Sequence, residues 1–148
     1  MDALDGVRRV YLTERSIRIQ AALGAAAVAS GLLLDLTRIE WLVLLGAISM
    51  VLMAETFNSA IEAVVDLASP GFHPLAKLAK HAAAGGVVFA VANALAVGAI
   101  ILLPKVLPSV GVWAERVWKR PYLSLAAVLL LGLGVLGAFV SSKVKGKE

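Results

Sequence analysis

The chain has 148 residues, 60% of them hydrophobic and 16% charged, with a net charge of +4 and a mean hydropathy of +0.89. Soluble domains carry about 45–50% apolar and about 25% charged residues, so this composition points to a membrane protein and away from disorder. The scattered basic residues speak against nucleic-acid binding. The absence of cysteine excludes a disulfide framework, cysteine–zinc sites and thiol catalysis.

In chain order, residues Ala3 to Gln20 are polar, with Leu4, Val7, Val10, Tyr11 and Leu12 at roughly helical spacing. This predicts an interfacial amphipathic helix. A charge-free run follows from Ala21 to Leu34. A cleaved signal peptide is the alternative for that run, but Glu14 and Gln20 lie close before it and no small-residue cleavage site precedes polar sequence. The second apolar run, Trp41 to Ala54, continues without a breaker into ETFNSAIEAVVDLAS. One helix from Glu40 to Leu67 would be roughly 42 Å long. The third run, Ala82 to Leu103, contains one strongly polar residue, Asn93. Pro104 to Arg120, with Pro104, Pro108, Trp113 and Trp118, reads as a loop with an interfacial helix. The fourth run, Pro121 to Val140, has the roughly 20 residues that cross a hydrocarbon core.

The predicted fold class is therefore all-α. It is a polytopic membrane helical bundle with an N-terminal amphipathic interfacial helix, three core transmembrane helices and an extra fourth C-terminal span. Lys and Arg are distributed nine to five between the two sides, which favours both termini in the cytoplasm.

The informative segment lies in the second span. Glu55, Asn58, Glu62 and Asp66 are spaced by three, four and four, so a helix puts them on one face, with Ser59 beside them. Ionisable residues in a membrane segment are expensive and usually serve function. Two plainer readings stand beside this one. Glu62 and Asp66 alone fit a solvated helix end, and Asn58 with Ser59 fits an interhelical packing patch. Closely placed carboxylates suit a hard divalent cation such as Mg²⁺, which is held by one or two carboxylates plus phosphates. Downstream, Ser69 to Pro74 forms a turn and returns Lys77, Lys80 and His81 to the same membrane face. A lysine beside a carboxylate-bound cation suits a nucleoside triphosphate. Ordinary positive-inside anchoring also accounts for Lys77 and Lys80, and a surface position for His73 and His81. Glu14 and Arg18, four apart, are either a helix salt bridge or a further metal carboxylate with its neighbour.

The run from Glu55 through Asn58 and Glu62 to Asp66 closely resembles the signature of the prokaryotic integral-membrane diacylglycerol kinase and undecaprenol kinase family. The resemblance extends to Glu14-Arg-Ser-Ile-Arg18, to Ser69…Phe72-His73-Pro74-Leu75-Ala76-Lys77…Lys80, and to Ala83-Ala84-Gly85…Asn93-Ala94…Val97-Gly98. It implies transfer of the γ-phosphate of MgATP to a lipid alcohol, undecaprenol or diacylglycerol, by a homotrimer with shared active sites in the cell inner (plasma) membrane. It further implies Glu55 as general base, with Asn58 orienting or bonding within the site, and Glu14 and Glu62 as Mg²⁺ ligands. Gly71, Phe72 and His73 would line the ATP, and Lys80 would contact its phosphates. His81 stands where the family usually has an aspartate, and the amphipathic segment is shorter than usual. A catalytically impaired membrane scaffold is therefore the alternative within the family. A small ion transporter using the buried acids has no supporting motif. The resemblance divides the chain into a membrane lipid kinase domain, 1–105, and an extracytoplasmic loop, additional helix and basic tail, 106–148.

Overall fold

The structure is a computed structural model that describes residues 2–107, 119 and 121–140. Among the described residues the helices are, in order, α1 (Ala3–Thr13), α2 (Arg15–Leu33), α3 (Arg38–Ala68), α4 (Pro74–Val106) and α5 (Pro121–Val140). No strand occurs among the described residues. Helices α2, α3 and α4 are each long and apolar enough to cross a membrane. The all-α membrane bundle expected from the sequence is thus what the chain forms.

Helix α3 starts at Arg38, two residues before the expected Glu40, and two further boundaries differ from the sequence reading. The amphipathic segment is not one helix to Gln20: α1 ends at Thr13, Glu14 is extended, and Arg15 to Gln20 begin the apolar helix α2. The Arg18 guanidinium reaches back and donates through Nη1 to the Leu12 carbonyl at 2.9 Å. That satisfies a carbonyl which the end of α1 leaves without a helical donor. Pro104, read as loop, lies inside α4. It stands two residues from the helix end, where the loss of one i→i−4 bond is tolerable. The interfacial helix expected between Pro104 and Arg120, with Trp113 and Trp118, lies outside the described residues.

The starts of α1, α3 and α4 are capped by their own sequence. Asp2 and Asp5 form a capping box on α1, and Thr37 and Glu40 form one on α3. His73 caps α4, with Pro74 in the first turn, where its missing N–H costs nothing. The tight α2–α3 turn uses Asp35 at φ 52°, a left-handed conformation that aspartate tolerates better than most residues.

The most extensive contacts are between α3 and α4 and between α2 and α5, with α2 against α3 next. The helices therefore follow the spatial order α5, α2, α3, α4. Small residues let α2 and α3 approach closely. A Cβ on Gly31 would stand 2.8 Å from Trp41 Cη2, and one on Gly24 would stand 2.9 Å from Ile48 Cγ2. We expect Gly31→Val to lower the unfolding temperature in detergent, as overpacking costs about 1–3 kcal/mol. Gly46→Ala, with open space at its Cβ, should lower it not at all. Equal unfolding temperatures for both variants and the wild type would contradict the close contact.

The outer faces stay apolar: Phe89 is 80% exposed, and Leu42 and Ile100 are each 74% exposed. A surface of this kind is suited to lipid. At 31 residues, α3 is about 46 Å long, against about 30 Å of hydrocarbon. Counted from Arg38, Glu55 lies about 26 Å along the axis, less than one hydrocarbon thickness, and Glu62 and Asp66 lie at about 36 and 42 Å, more than one.

Candidate functional site

One face of α3 carries the acids, and each finds a different environment. Glu55 is buried, with 5% of its surface exposed. Its carboxylate Oε1 accepts a hydrogen bond from Gln20 Nε2 of α2 at 2.7 Å. A buried carboxylate is costly unless it is hydrogen-bonded, and the start of α2 supplies that donor. Three residues on, Asn58 Nδ2 donates to Glu62 Oε1 at 3.0 Å, an i,i+4 pair along the same face. The other amide atom, Asn58 Oδ1, is buried without a partner. At the end of α3, Asp66 pairs with Lys80 of α4 across the turn.

That turn is held by its own polar groups. The Ser69 N–H donates to the Val65 carbonyl at 2.9 Å, ending α3. Ser69 Oγ donates to the Gly71 carbonyl at 3.2 Å. The Leu75 N–H donates to His73 Nδ1 at 3.2 Å. The result is a cavity of about 230 Å³ between the end of α3 and the start of α4. Gly71, Phe72, His73, Lys80 and His81, all candidates from the sequence, line it together. Lys77 and Asp66 complete its charged lining. The rim holds two lysines against one aspartate, a balance that suits an anion.

Glu14 stands apart, in the break between α1 and α2. Its position at the N-terminus of α2 is favourable for a negative side chain. Among the described residues no three His, Cys, Asp or Glu side chains lie close enough to hold a metal by themselves. Glu14 and Glu62, the metal ligands expected from the resemblance, are therefore not part of such a trio.

Gln20 is the site residue that sequence reasoning missed. A lone amide at the edge of a charge-free run was a usable signal, since a polar side chain at that depth needs a partner. A further ion pair, Lys105 to Glu40 at 3.2 Å, joins the start of α3 to the end of α4, about 22 Å along α3 from Glu55 and about 39 Å from Asp66.

Comparison with known proteins converges on one family. The model of the family described as prokaryotic diacylglycerol kinase matches residues 1–102. An undecaprenol kinase of Bacillus subtilis is 43% identical over 101 residues, covering 68% of this chain and 81% of that protein. A diacylglycerol kinase of a Synechocystis species is 40% identical over 103 residues, covering 69% of this chain and 59% of the other. A diacylglycerol kinase of Escherichia coli is 31% identical over 97 residues, covering 66% of this chain and 80% of the other. No solved structure matches. The match leaves α5 outside.

Proposed function

This chain belongs to the prokaryotic diacylglycerol kinase family, and we propose that it transfers the γ-phosphate of ATP to the hydroxyl of a membrane lipid alcohol, undecaprenol or diacylglycerol. The observation that carries this reading is the continuous polar face of α3. It runs from a buried carboxylate at the hydrocarbon boundary to a cationic cavity at the surface. A lipid hydroxyl and a water-soluble nucleotide can meet only along such a path.

Glu55, held by Gln20, takes the hydroxyl proton as the lipid oxygen bonds to the γ-phosphorus. The bond from that phosphorus to the β–γ bridging oxygen breaks, and ADP leaves with the electron pair. Gly71, Phe72 and His73 line the nucleotide, while Lys80 and His81 face its phosphates. The transition state is loose, so positioning and charge compensation carry most of the acceleration. Asn58 orients Glu62 through its Nδ2–H, and a carboxylate is a ligand suited to a hard cation. Glu62, with Glu14, would hold Mg²⁺, which when bound offsets charge on the β- and γ-phosphates.

The lipid kinase unit spans 1–105, and 106–148 adds a loop, α5 and a basic tail. The chain sits in the plasma membrane with both termini cytoplasmic, as the nine-to-five distribution of basic residues favours. The exposed apolar faces leave room for a homotrimer with sites shared between copies.

The decisive assay offers radiolabelled ATP with undecaprenol and diacylglycerol in separate micelles. We expect label in a lipid phosphate, and no label in either lipid overturns the reading. In the same assay, Glu62→Gln should move the Mg²⁺ activation midpoint up by on the order of tenfold or more. A bond to a charged group is worth about 1.5–3 kcal/mol, and each 1.4 kcal/mol is a factor of ten. A Mg²⁺ titration that overlays the wild type would remove Glu62 from the ligand set.

A further inference from the structure

Away from the acid face, the interiors of the apolar runs of α2, α3 and α4 hold few hydrogen-bonding side chains: Ser30, Ser49 and Asn93. Ser30 is satisfied within its own helix, where its hydroxyl donates to the Ala26 carbonyl at 2.9 Å. The other two are not. Ser49 of α3 and Asn93 of α4 are both exposed, and neither side chain makes a hydrogen bond to a described residue. The Lys105–Glu40 pair sets the end of α4 level with the start of α3. From that level Ser49 lies nine residues along α3, about 14 Å, and Asn93 lies twelve residues back along α4, about 18 Å. Both depths fall within one hydrocarbon thickness, and they differ by less than one helical turn. Acyl chains offer neither donor nor acceptor, so polar groups held there are costly until a protein partner arrives.

The faces still open for such a partner belong to α3 and α4. Helix α2 is already covered by α5, and Ala29 and Ala127, one from each, are both 2% exposed. Along α4, Ala82, Gly86, Phe89, Asn93, Ala96 and Ile100 are all exposed, at alternating spacings of four and three. That is the repeat of a helix seam that packs against another helix. The small residues around Asn93 let a second backbone come close enough for a short amide to reach across.

Resting on the homo-oligomer in the reading above, we propose that Asn93 of one copy meets Ser49 of the next, joining the outer face of α4 to the outer face of α3 in a head-to-tail contact that closes into a ring. An amide and a hydroxyl each carry a donor and an acceptor, so either can serve the other. The contact uses two different faces, and every copy supplies both, so a closed ring leaves neither residue in lipid. A contact of Asn93 with Asn93 would leave each Ser49 unsatisfied. Helix α5 is a poorer partner for Asn93, because Leu125 to Leu131 carry no hydrogen-bonding side chain.

The natural chain has no cysteine, so introduced thiols report this contact without background. Full-length Ser49→Cys, Asn93→Cys and the double variant are oxidised in lipid vesicles and run under denaturing conditions without reductant. The double variant should give a ladder of linked copies, and each single variant should stay monomeric on the gel. Linked dimers from Asn93→Cys alone would mean that α4 meets α4, and a bond closed within one chain would mean that the two faces are not open; either overturns the inference. So does the absence of any link while light scattering in detergent still shows an oligomer, a result that leaves the kinase reading standing. A monomeric wild type that transfers phosphate overturns both the inference and the shared site, but not the activity. A second measurement follows dissociation of the oligomer on dilution. Asn93→Leu and Ser49→Ala should each raise the dissociation constant by on the order of three- to fifteenfold, and the double variant by no more than the larger of the two. Additive losses, or none, would show that the two side chains do not meet.

Discussion

Glu55→Gln lowers phosphotransfer by about 10²–10⁴-fold, the usual range for removal of a general base. The substitution is chosen so that folding cannot explain the loss. Glutamine has the same shape, and its carbonyl oxygen can still accept the Gln20 Nε2–H that Glu55 accepts at 2.7 Å. Glu55 is buried, so the neutral residue also removes the desolvation cost of a carboxylate. The unfolding temperature in detergent should therefore hold or rise while the rate collapses. ATP binding, measured separately, should persist, because the cationic cavity lies about 11 residues further along α3 and shares no side chain with Glu55. A variant with wild-type rates would strip Glu55 of the role. A variant that unfolds early would show instead that the carboxylate is structural.

The face that carries Glu55, Asn58, Glu62 and Asp66 was legible because helical periodicity is local. Spacings of three and four fix an angular position whatever the rest of the chain does. Lys80 and His81 were legible for a similar reason, since a short turn must bring the end of α3 and the start of α4 together, whereas Gly71, Phe72 and His73 entered through the family resemblance. Gln20 was not, since its bond to Glu55 spans 35 residues and exists only through the packing of α2 on α3. The break at Glu14 was hidden too. Its neighbours keep an amphipathic pattern, and what ends α1 is a side chain six residues on, Arg18, taking the Leu12 carbonyl. The start of α3 at Arg38 was readable and passed over. Thr37-Arg-Ile-Glu40 is a capping-box sequence that sets the boundary before the apolar run starts. Pro104 misled in the other direction, because a proline near the last turn removes only one helical bond.

Lys80→Met should raise the KM for ATP about tenfold or more and barely affect stability. Two interactions of one ammonium are being compared, and their magnitudes decide the outcome. Lys80 pairs with Asp66, but the side chains are 36% and 66% exposed. An ion pair that open to water is worth only about 0–1 kcal/mol, and salt screens it further. Removing Lys80 also strands no buried charge, since Asp66 remains solvated. A triphosphate in the cavity is a stronger partner for the same ammonium. Its contact is charge-assisted, worth about 1.5–3 kcal/mol, and Lys77, His73 and His81 share the lining. The nucleotide should thus draw Lys80 from Asp66 at little cost. Asp66→Asn supplies the control. If the pair restrains Lys80, that variant should bind ATP as well as the wild type or better. If the pair mainly aligns α3 with α4, both variants should lose affinity together and unfold earlier. Lys80→Arg keeps the charge but changes its geometry, and it should recover part of the affinity lost in Lys80→Met. A KM for ATP that is the same in Lys80→Met and wild type would exclude the residue from the phosphate contacts, whatever its pairing with Asp66.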